Sequence, residues 1–162
     1  MPSARPRRVA VALGSNVGDR HAALAFAVAR LSRLLAEIRT SSFVDTDPEG
    51  EGLQDQPLYL NAAVVGESSL PPQQLLEALL AIEREFGRER PYPGAPRTLD
   101  LDLILAGDEV VTHRGLTLPH PRFRSRFFVL GPLAEVGAEL VDPVSKRTVG
   151  ELLRELLQNE DR

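Results

Sequence analysis

The chain has 162 residues, 43% of them hydrophobic, with no cysteine, three histidines and a net charge of −4; this suffices for one domain around a single core and leaves no room for a second. Disulfides, a thiol nucleophile and thiolate zinc sites are excluded, and His21, His113 and His120 form no HExxH-like pair, so any metal is expected to take oxygen ligands, which suggests magnesium. The acidic balance argues against a nucleic-acid binder, and no apolar run reaches the roughly 18 residues of a membrane span or the core of a signal peptide, so a soluble cytoplasmic protein is expected.

Residues 1–7, carrying Pro and Arg, read as a disordered tail ahead of a single domain over 8–162. VAVALG (9–14) predicts a first strand, and GSNVGD (14–19) a turn whose Asp19 caps the following helix. That helix is expected over about 21–37, because Leu24, Val28, Leu31 and Leu35 recur at three- and four-residue steps. SSFVDT (41–46) reads as a second strand, and DPEGEGLQDQP (47–57) as a loop too rich in Gly, Pro and acid for regular structure. LYLNAAVVG (58–66) is a third strand. PPQQLLEALLAIEREFG (71–87) is a second helix, opened by Pro and closed by Gly87, with Leu75, Leu79, Ile82 and Phe86 inward.

A second Pro-rich loop, RERPYPGAP (88–96), precedes a fourth strand, TLDLDLILAG (98–107). The two loops, about 47–56 and 91–96, are expected to act as lids over bound substrate. The order β-α-β-β-α-β is the ferredoxin-like unit, an α+β fold with a mostly antiparallel sheet and both helices on one face. The remaining chain predicts short strands near EVVT (109–112) and LTLP (116–119), a helix over about 124–136 and a last amphipathic helix, ELLRELLQ (151–158).

Asp100 and Asp102 interrupt the fourth strand. Residues i and i+2 of a strand share a face about 6.6 Å apart, so two carboxylates there repel by roughly 0.6 kcal/mol in water and about 2.5 kcal/mol at an effective dielectric of 20. Leu99, Leu101, Leu103 and Leu105 are expected on the other face. For the DxD pair alone, a solvated sheet face is an equal alternative to a metal site. Eighteen of the nineteen basic residues are arginine, and eight of them (Arg84, Arg88, Arg90, Arg97, Arg114, Arg122, Arg124 and Arg126) bracket the pair. Guanidinium forks match phosphate, so this clustering favours metal and phosphate.

GSNVGD lacks both the P-loop ending and a GxGxxG pattern, so a tight turn is favoured over a phosphate cradle. Tyr59 and Asn61 alternate on one face of the third strand, and an aromatic plane beside an amide can read a flat heterocycle, although each alone is ordinary sheet surface. His120 lies between prolines, and its closeness to Arg122 and Arg126 makes it a candidate phosphate donor.

GSN (14–16), YLNAAV (59–64), IEREFGRER (82–90), APRTLDLDLI (95–104) and LPHPRFRSRFFVLGPL (118–133) together resemble the 6-hydroxymethyl-7,8-dihydropterin pyrophosphokinases of folate biosynthesis, over about residues 8–157. The resemblance implies transfer of pyrophosphate from ATP to the pterin hydroxymethyl group with release of AMP, by a monomer of ferredoxin-like fold with additional C-terminal helices. It further implies that Asp100 and Asp102 hold two magnesium ions, that Tyr59 and Phe128 sandwich the pterin, and that Asn61 and the backbone around Thr46 read its edge. Arg88, Arg97, His120 and Arg126 would contact phosphate, with Arg90 beside them. Gly94 stands where some members carry tryptophan, with Tyr92 nearby, and Gly115 where some carry arginine, with Arg114 adjacent. Two readings compete with this one: a non-catalytic ligand-binding module of the same fold, and another DxD-dependent nucleotidyl transferase, against which the second aromatic platform argues.

Overall fold

A computed structural model of the chain describes residues 5–46, 59–88, 98–113 and 115–160. Its middle strand is β1 (Arg7–Ser15), in which Val9, Val11 and Leu13 alternate with Ala10, Ala12 and Gly14. Alternation sends the two sets to opposite faces, and both faces are covered over most of the strand's length. β1 pairs antiparallel on one side with β4 (Tyr59–Ser68) and on the other with β5 (Asp100–Ala106). Two short strands, β2 (Ala36–Thr40) and β3 (Val44–Thr46), both pair antiparallel with the far side of β4. The main sheet therefore runs β2-β4-β1-β5, with β5 at one edge.

Helices α1 (Arg20–Leu34) and α2 (Pro72–Arg88) pack on one face, as the β-α-β-β-α-β reading requires. Ala23, Leu24, Ala27 and Leu31 of α1 and Leu75, Leu79, Ile82 and Phe86 of α2 form one core with Val9, Val11, Leu13, Leu60, Ala62, Val64, Leu101 and Leu103. Each large aliphatic side chain buried there contributes about 1.5–3 kcal/mol. Asp19 caps α1, its carboxylate accepting the N–H of Ala22 at 3.0 Å, as expected from the sequence.

Helix α1 ends earlier than its hydrophobic stripe predicts. Leu35 is extended (φ −116°, ψ 143°) and Glu37 has φ 52°, so the chain leaves the helix at Leu34 while Leu35 still reaches the core, 4% exposed. AEIRT is then a strand, and the predicted strand over 41–46 is shortened to β3. Between β2 and β3, Ser41 bridges to β4: its N–H donates to the carbonyl of Ala63 and its hydroxyl accepts the N–H of Ala63 at 2.8 Å.

The second correction concerns β5. A bulge falls between Ala10 and Val11, so that Val11 faces Leu103 but Ala10 faces Leu105. Ile104 is the extra residue, and beyond it the alternation reverses. Leu99, Leu101 and Leu103 take the α1–α2 face as predicted, but Leu105 does not: with Ile104 it packs on the opposite face.

That opposite face is covered by α3 (Phe127–Gly137) and α4 (Val149–Glu160). Val129, Leu130, Leu133, Val149 and Leu152 meet Ala10, Ala63, Val65, Ile104 and Leu105. Before α3 the chain forms a hairpin of β6 (Val111–His113) and β7 (Leu116–Leu118), then a single 3-10 turn at Phe123–Ser125. The helix expected from residue 124 is interrupted by Arg126, which is extended (φ −107°, ψ 103°) and starts α3 anew. Among the described residues no helix is long and apolar enough to cross a membrane.

Candidate active site

Among the described residues, α3 and α4 pack on the apolar half of their face of the sheet. Its apolar half lies at Ala10, Val65 and Ile104; its other half carries polar side chains. Gly14 stands opposite Asn61 of β4 and opposite Asp100 of β5, and Ala12 opposite Ala63 and Asp102. Directly opposed residues share a face, so the two smallest side chains of β1 form a floor between an amide and two carboxylates. A Cβ placed on Gly14 would sit 3.5 Å from Asn61 Oδ1 and 3.6 Å from the Tyr59 ring. Glycine therefore lowers the floor just where an aromatic ring and an amide border it.

Each wall has its own support. Asn61 is 5% exposed, and its Nδ2 donates to Thr46 Oγ1 at 2.5 Å across the β3–β4 pairing, which leaves Oδ1 as an acceptor. The Tyr59 hydroxyl is held above its ordinary pKa by burial and then by the charge of Asp100. Burial and the neighbouring Asp102 raise the Asp100 carboxyl in turn. Among the described residues no arginine, lysine or histidine forms an ion pair with Asp100 or Asp102.

The third side comes from the stretch between β7 and α3. The His120 N–H donates to the carbonyl of Ile104 at 3.0 Å, which ties this stretch to β5. Burial lowers the His120 pKa; Asp102 pulls it up, and Arg126 and Arg122 push it down again. The His120 Nδ1 accepts the N–H of Arg122 at 3.2 Å, so Nε2 carries the proton and is a donor. Arg126 lies with its Cζ 5.5 Å from the centre of the Phe128 ring, and its carbonyl accepts the N–H groups of Val129 and Leu130. One turn of α3 thus presents an arginine and an aromatic ring together.

Of the residues singled out from sequence, Thr46, Tyr59, Asn61, Asp100, Asp102, His120, Arg126 and Phe128 are all described, and contacts, strand register or charge coupling link them to this end of the face. Arg90, Arg97, Tyr92, Gly94, Arg114 and the two loops over 47–56 and 91–96 lie outside the described residues, as does the side chain of Arg88.

Sequence reading missed two supports. The GSN turn grips the start of the aspartate strand: Thr98 Oγ1 accepts the N–H groups of Asn16 (3.0 Å) and Val17 (3.3 Å) and donates to Asn16 Oδ1 (3.1 Å), while Ser15 Oγ donates to the Thr98 carbonyl (2.7 Å). The Ser and Asn of the turn serve this clamp. The other support is Glu83 of α2, whose Oε2 accepts the N–H of Leu101 at 2.7 Å. Burial holds the Glu83 carboxyl above its usual range, the Leu101 N–H offsets part of this, and the charges of Asp100 and Asp102 add to it. A charged residue four positions after Leu79 and three before Phe86, on the margin of the buried stripe, was the available signal.

Comparison with known proteins gives the family. A family model described as 7,8-dihydro-6-hydroxymethylpterin-pyrophosphokinase matches residues 10–138. Proteins named 2-amino-4-hydroxy-6-hydroxymethyldihydropteridine pyrophosphokinase are similar over most of their length. That of Bacillus subtilis is 47% identical over 128 residues, covering 78% of this chain and 75% of its own. The Synechocystis protein is 44% identical over 149 residues (90% and 74%), and the Haemophilus influenzae protein 41% identical over 154 residues (93% of each). Among solved structures, the Plasmodium falciparum HPPK-DHPS wild type superposes with a TM-score of 0.76 at 14% identity, which shows the fold. The chain spans 98% of its own length in that match and about half, 46%, of the larger protein.

Proposed function

The chain belongs to the 7,8-dihydro-6-hydroxymethylpterin-pyrophosphokinase family, and from that premise we propose that the polar half of the α3–α4 face is its active site. The reaction is transfer of pyrophosphate from ATP to the hydroxymethyl group of 6-hydroxymethyl-7,8-dihydropterin, a step of folate biosynthesis. The observation that supports this site is the division made by Gly14: Tyr59 and Asn61 border it on one side, Asp100 and Asp102 on the other. A flat heterocycle and a metal-bound polyphosphate are thereby brought within one short span of sheet. One chain supplies both sides, which supports action as a monomer.

In this reading Tyr59 and Phe128 hold the pterin between their faces, and Asn61, already oriented by Thr46, bonds to its edge. ATP as co-substrate implies a metal requirement. Asp100 and Asp102 fit that role, because burial and the neighbouring Asp102 disfavour the charge of Asp100, and among the described residues neither aspartate has an ion pair. The described residues contain no group of three His, Cys, Asp or Glu side chains placed for a metal, so phosphate oxygens and water would complete the shells of two magnesium ions. Magnesium bound there would offset the charge of the ATP phosphates.

The Nε2–H of His120 and the guanidinium of Arg126 donate to phosphate oxygens, and Arg88, Arg90 and Arg97 are assigned the same task by the family resemblance. The pterin hydroxyl attacks the β-phosphorus, AMP leaves in line, and the hydroxyl proton passes to water. Positioning and charge neutralisation, rather than a general base, carry the catalysis. Incubation with Mg-ATP and the pterin, followed by separation of nucleotides, is expected to give AMP in step with pterin diphosphate. ADP as product would mean transfer of the γ-phosphoryl group alone and would refute this reaction; release of free pyrophosphate would favour the nucleotidyl transferase, and no turnover the non-catalytic module.

A further inference from the structure

We propose that Glu83 is a positioning residue for the aspartate pair. The proposal rests on the reading of Asp100 and Asp102 as the metal-holding carboxylates. Among the described residues β5 is an edge strand, with β1 as its partner strand, and it begins at Asp100. Leu101, the residue between the two aspartates, faces Leu13 across the β1 ladder, yet its N–H is donated to Glu83 on α2. This N–H therefore points away from β1. The start of an edge strand is where backbone frays; here a side chain of another element takes the place of the missing strand.

The anchor is rigid because α2 is. Glu83 follows Ile82, 7% exposed, and lies one turn from Leu79 and Phe86, 1% and 3% exposed, all in the core that also holds the Leu101 side chain. Leu101 is thus fixed by its side chain below and by its N–H at the edge, and the carboxylates on either side of it inherit that fixation. A third carboxylate beside two others adds repulsion to the ligand-free protein. Its charge-assisted bond to a backbone N–H is the compensating interaction.

Two variants separate the roles available to Glu83. Glu83→Gln keeps an acceptor for Leu101 and removes the charge; Glu83→Ala removes both. Three quantities are measured: amide exchange of Leu101 in the ligand-free protein, Mg2+ affinity by calorimetry in the presence of α,β-methylene ATP, and the KM for the pterin. With Glu83→Ala, Leu101 is expected to exchange about tenfold faster or more, and Mg2+ affinity to fall roughly tenfold or more, the scale on which groups that orient metal ligands act. The pterin KM should hold. Glu83→Gln is expected to restore most of both losses.

Unchanged Mg2+ affinity in Glu83→Ala, despite faster exchange, would reduce Glu83 to a purely structural bond and overturn the proposal. Loss of Mg2+ affinity in Glu83→Gln with Leu101 still protected would also overturn it, since charge rather than position would then be acting. A wild-type protein that released no AMP but bound Mg2+ through Asp100 and Asp102 would instead refute the reaction assigned above, and the exchange and affinity arms would still decide the role of Glu83.

Discussion

Asn61 and Asp100 stand opposite each other across Gly14, with the Tyr59 ring beside it, and the proton affinities of Tyr59 and Asp100 record the crowding: each is raised by burial first, Tyr59 also by the Asp100 charge and Asp100 by that of Asp102. For an acid, a folded-state pKa above the unfolded one means that the fold disfavours the charged form. That penalty is present above the folded pKa and relieved as pH falls below the unfolded one. At pH 7 the ligand-free site is therefore under electrostatic strain, while its aromatic residues carry none. Tyr59 and Phe128 should act on the pterin alone. Replacing either by Ala is expected to weaken pterin binding by about 1–3 kcal/mol, the range for one stacked ring, with ATP affinity unchanged; calorimetry on each ligand separately checks this. A loss confined to ATP would move the pterin elsewhere. Strand alternation puts Tyr59 with Asn61 and Asp100 with Asp102, but their roles, and Phe128 altogether, were legible only through the family resemblance. The Thr98 clamp was not legible, since hydrogen bonds reaching across 82 residues leave no periodic trace.

Among the elements, the 3-10 turn at Phe123–Ser125 differs from the strands, because it carries two residues of the proposed site on its flanks, His120 and Arg126, without a ladder to hold it. Its anchor is a salt bridge. Arg124 Nε and Nη2 donate to Asp142 at 2.5 and 3.0 Å, Asp142 is 0% exposed, and Ser145 Oγ and the Val144 N–H complete its shell. Burial alone would raise the Asp142 carboxyl, but the bonds from Arg124, Ser145 and Val144 reverse this and hold it at about 2. A depressed carboxylate contributes stability that is present above its unfolded pKa and lost as pH falls through the folded one. Between pH 4 and pH 2 this carboxylate should give up about 2 kcal/mol. In urea melts, Asp142→Asn is expected to be less stable than wild type by about that amount at pH 6, and the gap should close as pH approaches 2. A gap independent of pH would show that the charge of Asp142 is not what anchors the turn. None of this was visible from spacing, because a run of arginines reads equally as phosphate contacts. The end of α1 was hidden for a related reason: Leu35 fits the helical stripe and the strand core alike, so periodicity could not say where one gave way to the other. The bulge in β5 was hidden because Ile104 and Leu105 are both apolar, and only the helices on both faces make that possible.

At the scale of the whole molecule, the described residues pack one face of the sheet with α1 and α2 and the apolar half of the other with α3 and α4. Stability and function are thereby separated in space: Leu99, Leu101 and Leu103 fill a core that does not depend on what the opposite carboxylates bind. Asp100→Asn and Asp102→Asn should accordingly leave the fold intact, since asparagine is nearly isosteric and the leucines remain. Without metal, removing one carboxylate also removes repulsion within the pair, so each variant is expected to melt at the wild-type temperature or slightly above it at pH 7. A ligand stabilises the folded state in proportion to its binding, by about 2.7 kcal/mol at one hundred times its dissociation constant. For a protein of this size that corresponds to a rise of roughly 5–10 °C. Mg-ATP at that excess should produce such a rise in wild type, and a small fraction of it in either variant, whose amide cannot supply the anionic charge that holds the cations on the phosphates. AMP release should be lost in parallel. Melting curves with and without Mg-ATP decide the matter: variants that melt low without ligand would make the aspartates structural, and variants that keep the full rise would make them solvated surface charges with no part in binding the nucleotide.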